Sequence, residues 1–112
     1  MAQLRSAIVA SGLLRAAEAV GGNGAVLAKG DPDAGALLLV LTNRGATHAL
    51  LERVSSLTDG FTWNIVNGSV SADSETVARL IDRKKRFDPD LWVIELDIPN
   101  AEQFIVDSLD ET

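Results

Sequence analysis

Along the chain the apolar positions change period four times, and each change marks a change of element. From residue 4 to 20 they recur every three to four residues. Val9, Leu13, Ala16 and Val20 share one stripe, and Ser11, Arg15 and Glu18 lie opposite, the signature of an amphipathic helix. Gly12, near that stripe, predicts close approach by another backbone. Gly21-Gly22 ends the helix, because glycine takes the left-handed C-terminal conformation cheaply. From Ala25 to Val66 the period falls to two. The pattern predicts strands over Ala25–Lys29, Ala36–Thr42, Thr47–Val54 and Phe61–Val66. Leu37–Leu41 is a continuous aliphatic run, as expected of a strand covered on both faces. Phe61, Trp63 and Ile65 fall on one face of the fourth strand. The turns between strands are Gly30–Gly35, Asn43-Arg44-Gly45 and a looser connection over Ser55–Gly60.

The helical period returns over Asp73–Phe87. Ser71 or Asp73 supplies the N-cap, and Val77, Leu80, Ile81 and Phe87 form the apolar sector, with Lys84 laying its stem along it. Pro89 forces the helix to end before it. Leu91–Ile98 is a last strand, with Trp92, Ile94, Leu96 and Ile98 on one side and Leu91, Val93, Glu95 and Asp97 on the other. Ala101–Leu109 predicts a short final helix. The order α-β-β-β-β-α-β gives an α+β domain over residues 1–112. Its single sheet of about five strands is dominated by antiparallel pairing, since short turns join consecutive strands. The last strand pairs parallel to a neighbour or adds to an edge. The two main helices are expected on one face.

Charge sharpens this picture. The net charge is −6, yet residues 79–86 hold five of the ten basic residues against one acid, while residues 88–112 hold eight acids and no base. An acidic chain argues against a general nucleic-acid or anionic-membrane binder. The separation of charge suits steering of a protein partner or pairing of one copy with another. With no cysteine, thiol catalysis, disulfides and cysteine-based metal sites are excluded. No run is long and apolar enough to span a bilayer. Arg15 and Glu18 interrupt the apolar stretch near the N-terminus, so it reads as a buried helix rather than a signal peptide.

Three features bear on chemistry. Asp-Pro-Asp occurs twice, at Asp31–Asp33 and Asp88–Asp90. Two carboxylates flanking a proline could bind a hard cation, or form an acid–base pair if the two turns converge. The same residues also make an ordinary turn, in which Asp caps the backbone through its own side chain. Arg79, Arg83 and Arg86, spaced i, i+4, i+7, form a helix stripe able to grip phosphates, RNA or an acidic partner. Glu75 and Asp82 stand four residues before Arg79 and Arg86, so a solvated, ion-paired face is the competing reading. Trp63 and Trp92 read as core, with Trp92 the binding candidate of the two. His48 is the single histidine. No Gly-x-Ser-x-Gly elbow accompanies it, and it has no second histidine with which to hold a metal. Gly21–Gly24 follows a helix and is a connector rather than a phosphate loop. The sequence calls for no cofactor and no metal.

Lys29–Ala36 and Arg86–Glu95, with Leu14–Gly21 at the N-terminus, resemble the signatures of a family of short bacterial proteins classed only as a domain of unknown function. The resemblance is strong over about a third of the chain and departs from the family at Leu96–Pro99 and in the acidic tail. It implies a compact, stand-alone bacterial cytoplasmic domain and assigns no activity. The leading expectation is therefore a small non-enzymatic domain that binds another protein or itself. The alternatives are a ligand-binding or hydrolytic domain using Asp31, Asp33, Asp88 and Asp90, and weak RNA or phosphate binding through the arginine stripe.

Overall fold

A computed structural model of the protein describes residues 5–55 and 61–104. Its elements run α1 (Ser6–Ala19), β1 (Asn23–Ala28), β2 (Leu37–Asn43), β3 (Ala46–Ser55), β4 (Phe61–Ile65), α2 (Ser74–Phe87), β5 (Trp92–Asp97) and α3 (Ala101–Phe104). This is the expected α+β order. Residues 56–60 of the expected Ser55–Gly60 connection, and the final helix beyond Phe104, lie outside the described residues. None of the described helices is long and apolar enough to cross a membrane.

The five strands form one sheet in the order β1-β5-β2-β3-β4. β2–β3, β3–β4 and β1–β5 pair antiparallel, and β5 runs parallel to β2. The meander therefore begins only at β2. β1 and β2 leave a one-strand gap, and the last strand fills it. Leu91–Ile94 is buried on both sides, as is the whole apolar run of β2, and such two-sided strands belong inside a sheet.

Alternate residues of the central strands face opposite ways. Leu37, Leu39 and Leu41 pack with Trp92, Ile94 and Leu96 beneath α1 and Phe104. Leu38, Val40 and Leu50 pack with Leu91 and Val93 beneath Val77, Leu80 and Ile81 of α2. The two main helices thus cover opposite faces of the sheet, not one face as expected. The reason lies in the inner strands: both their faces are apolar, so each needs a cover. Each fully buried Leu or Ile contributes roughly 1.5–3 kcal/mol, so neither layer can be left bare.

Three further expectations shift in detail. The fully buried stripe of α1 is Ser6, Ala10, Leu13 and Ala17; of the stripe read in sequence Leu13 is buried, Val9 and Ala16 are half-buried against the same core, and Val20 is exposed. Gly12 faces open space, with no backbone near it. Phe87, expected in the core, is 85% exposed. It sits on the last turn of α2, about 40° around the helix from Arg83. On β4, Trp63 packs against the α1-side core and Ile65 is exposed; the Phe61 side chain lies outside the described residues.

Local rules account for the ends. Gly21, at φ +85°, closes a paired C-terminal motif on α1: its N–H donates to the Glu18 carbonyl and that of Gly22 to the Ala17 carbonyl. Asp73 caps α2 by accepting from the Thr76 N–H at 2.8 Å. Arg44 and Gly45 both take positive φ, the geometry of the two-residue turn joining β2 and β3.

Candidate functional site

The two Asp-Pro-Asp turns meet. β1 and β2 are separated by β5, so the connection from Gly30 to Ala36 spans two strand spacings, roughly 10 Å, and wraps the start of β5. The Asp31 N–H donates to the Asp90 carbonyl at 3.0 Å, and the Trp92 N–H donates to the Ala36 carbonyl at 2.8 Å. The indole Nε1–H of buried Trp92 donates to the Asp31 carbonyl at 2.7 Å. Gly30 and Gly35 both crowd Asp90: a β-carbon on either would stand 2.1 Å or 2.5 Å from the Asp90 carbonyl oxygen. The first turn also anchors α1. Arg5 offers no side-chain cap; instead the Ser6 and Ala7 N–H groups donate to the Asp33 and Pro32 carbonyls, and the buried Ser6 hydroxyl donates to the Gly35 carbonyl at 2.6 Å.

This junction is built from main chain, and the carboxylates serve it locally. Asp31 Oδ1 accepts from the Asp33 and Ala34 N–H groups at 2.8 and 3.1 Å. These two bonds, that from Asp33 foremost, hold its carboxyl below the usual aspartate range. A carboxylate held ionised in this way is a poor general acid near neutral pH. Asp88 Oδ1 accepts from the Asp90 N–H at 3.1 Å. Asp33 pairs with Arg5 in the open, at 3.4 Å. No group of three or more acidic or imidazole side chains is placed to hold a metal among the described residues. The turns converge, then, but what they bring together is backbone.

The second candidate is the outer face of α2. Arg79, Arg83 and Arg86 line one open groove of about 340 Å³. Arg79 donates to the Thr76 hydroxyl, and Arg86 pairs with Asp82 one turn back. Arg83 makes no ion pair among the described residues. Lys84 turns the other way and bonds Glu52 of β3 at 2.5 Å, half-buried, beside the core it was expected to cover. Trp92 is 3% exposed and far into the core, so any binding role for it runs through the junction it supports. His48 lends its carbonyl, which accepts from the Ser71 N–H.

Sequence reasoning missed three residues that hold these surfaces. Ser69 is fully buried; its hydroxyl accepts from the Leu50 N–H and donates to the Val66 carbonyl, stitching the segment before α2 onto β3. Asp97 accepts from the Arg44 and Gly45 N–H groups at 2.9 and 3.1 Å, and so pins the β2–β3 turn to the end of β5. Ser6 is the third. All three act on partners at least 19 residues distant or across a loop, and local pattern carries no signal for that.

Fold and surface together define a class: a five-stranded mixed sheet with one helix layer on each face, whose twin acidic turns form a backbone junction. The chain belongs to the family described as Protein of unknown function (DUF1491), whose profile matches residues 4–106. It is similar to a crystal structure of a DUF1491 family protein from Caulobacter crescentus, at 28% identity and a TM-score of 0.74, over 83% of this chain and 86% of that one. An NMR structure of a DUF1491 family protein from the same organism matches at 27% identity and 0.76, over 89% and 90%. The solution structure of a protein from A. tumefaciens matches at 29% identity and 0.70, over 86% of each. No curated protein matches. The family carries no assigned function.

Proposed function

We propose that this protein is a small, non-enzymatic cytoplasmic domain that works by binding an acidic protein surface through the outer face of α2. One observation carries the reading: Arg79, Arg83 and Arg86 line a common groove, and exposed Phe87 stands on the same side of the helix. Arginine and aromatic side chains are the usual anchors of protein interfaces, since the guanidinium grips carboxylates bidentately and the ring supplies apolar area. The engagement of Asp31 and Asp88 with turn amides supports a structural use of the acidic turns over a hydrolytic one. The net charge of −6 favours a protein over a nucleic acid as the anion.

The test is a photo-reactive amino acid at position 83 in the living cell, with position 8 on α1 as the control. The expected adduct is protein, forms at position 83 alone, and disappears when Arg79 and Arg86 are both changed to Glu. A nuclease-sensitive adduct would replace this reading with RNA binding, and the absence of any adduct specific to position 83 would remove it.

A further inference from the structure

The edge of the sheet at β1 is left bare. β1 joins the sheet through β5 alone, and its first five residues are exposed. Alternate residues along it turn their N–H and C=O groups away from β5. Only another extended main chain can pair with such a row. Proteins guard edges of this kind with lysine, proline or an inward charge. Asn23–Ala28 has no proline and no charge of either sign. Its one irregularity is a register shift between Val26 and Ala28, which leaves Asn23–Val26 as the regular stretch. Elsewhere the fold closes its strand edges. Beyond β4, the Val66 and Ser71 N–H groups donate to the Leu50 and His48 carbonyls and so seal the outer side of β3.

The side chains of the regular stretch are complementary to a copy of themselves. Gly24 faces α1, since a β-carbon there would stand 2.7 Å from a methyl of Leu14. Val26 shares that face and is 41% exposed, and Ala25 points to the other face. Two β1 strands paired antiparallel about a twofold axis through Ala25 set Ala25 opposite Ala25. The same axis sets Gly24 of each copy opposite Val26 of the other. Side chains directly opposite come within about 5 Å. Each valine therefore enters the space beside a residue with no side chain and covers the half-buried Leu14 above it. The ladder brings no charge against a like charge.

We infer that β1 is a self-pairing edge, through which two copies join their sheets into one of ten strands. The contact is isologous, with the same patch used on both sides. One strand pair and its flanking helices form an interface below about 1,200 Å² in total, so the dimer is dissociable. Each copy carries a net charge of −6, so repulsion between the copies opposes the contact and salt strengthens it.

The test is the mass of the full chain by sedimentation equilibrium. The mass is expected to rise with concentration from the monomer's 11.9 kDa toward twice that value. Between about 50 and about 500 mM salt the dissociation constant is expected to fall roughly threefold or more. Ala25→Lys and Val26→Lys, both at exposed positions, are each expected to stay monomeric, because each sets like charges near the axis. Ile8→Lys, on the outer side of α1, is expected to dimerise as the natural chain does. The near-ultraviolet circular dichroism of Trp63 and Trp92 reports that each variant is folded. In the natural chain the outward amides within Gly24–Val26 are expected to exchange more slowly with deuterium as concentration rises. A chain that is monomeric at every concentration overturns the inference. So does a dimer that persists in both β1 variants, that dissociates with added salt, or that leaves the exchange of Gly24–Val26 unchanged. Capture of a different protein by β1, with no self-association of the pure chain, would assign the edge to a foreign strand and overturn the second-copy inference. The arginine groove takes no part, so each of these failures leaves the proposed function standing.

Discussion

At the residue scale, the glycines of this chain divide by what surrounds them, although in sequence they look alike. Gly30 is the tightest case: an added β-carbon would meet the Asp90 carbonyl oxygen at 2.1 Å, and that oxygen is held by the Asp31 N–H. Gly30→Ala is expected to cost about 3 kcal/mol, near the top of the range for overpacking, because backbone rather than a pliable side chain must move. Gly12→Ala is the opposite case. Gly12 is exposed on a helix with nothing within 4 Å, so the change is expected to stabilise by roughly 0.5–1 kcal/mol. Urea unfolding of the two variants measures both. Trp92→Phe keeps most of the buried ring and removes the Nε1 donor to the Asp31 carbonyl. The expected loss is about 1–2 kcal/mol, the cost of stranding one part-buried carbonyl.

At the scale of elements, two carboxylates organise local structure, and both should show in the acid range. Asp73 caps α2, and the Thr76 N–H foremost, then the Thr76 hydroxyl, hold its carboxyl below the usual 3.8. Asp31 is lowered by the turn amides of Asp33 and Ala34. Each folded value lies below the unfolded one. The stability they contribute is therefore present above about pH 3.8 and lost as the pH falls through the folded value. Between about pH 5 and about pH 3, Asp73→Asn and Asp31→Asn chains are expected to lose less stability than the natural chain, as read by denaturant midpoints. Equal losses in all three would show that the bonds to the ionised caps do not matter. Both caps were legible in the sequence, because a cap acts within three or four residues of itself. The start of α1 was not. Its amides are satisfied by the carbonyls of Pro32 and Asp33, a segment 25 residues away.

At the scale of the whole molecule, the governing fact is that β5 enters between β1 and β2. That insertion draws the two acidic turns together and makes both faces of the inner strands core. Leu38 and Leu39, adjacent in sequence, lie under different helices. Leu38→Ala and Leu39→Ala are each expected to destabilise by about 2–5 kcal/mol, as deletions in buried cores do. A sheet with both helices on one face would leave one of the two positions tolerant, so comparing their thermal midpoints tests the layering directly.

What the sequence determined by itself is what short-range physics controls: the two long helices, the five strands, their turns, and the cap of α2. Hydrophobic period and turn chemistry act over a few residues, so they survive in a one-dimensional reading. The continuous apolar run at Leu37–Leu41 even carried the sign of two-sided burial, whereas the two-sided burial of Leu91–Ile94 emerged only in the fold. Tertiary structure decided which strand lies beside which, and hence the opposite placement of α1 and α2, the exposure of Phe87 and the meeting of Asp31 with Asp90. It also decided the character of the acidic turns. Whether two nearby turns present carboxylates or backbone to each other depends on orientations fixed only when β5 slots into the sheet, and here the glycines beside Asp90 let the main chains touch.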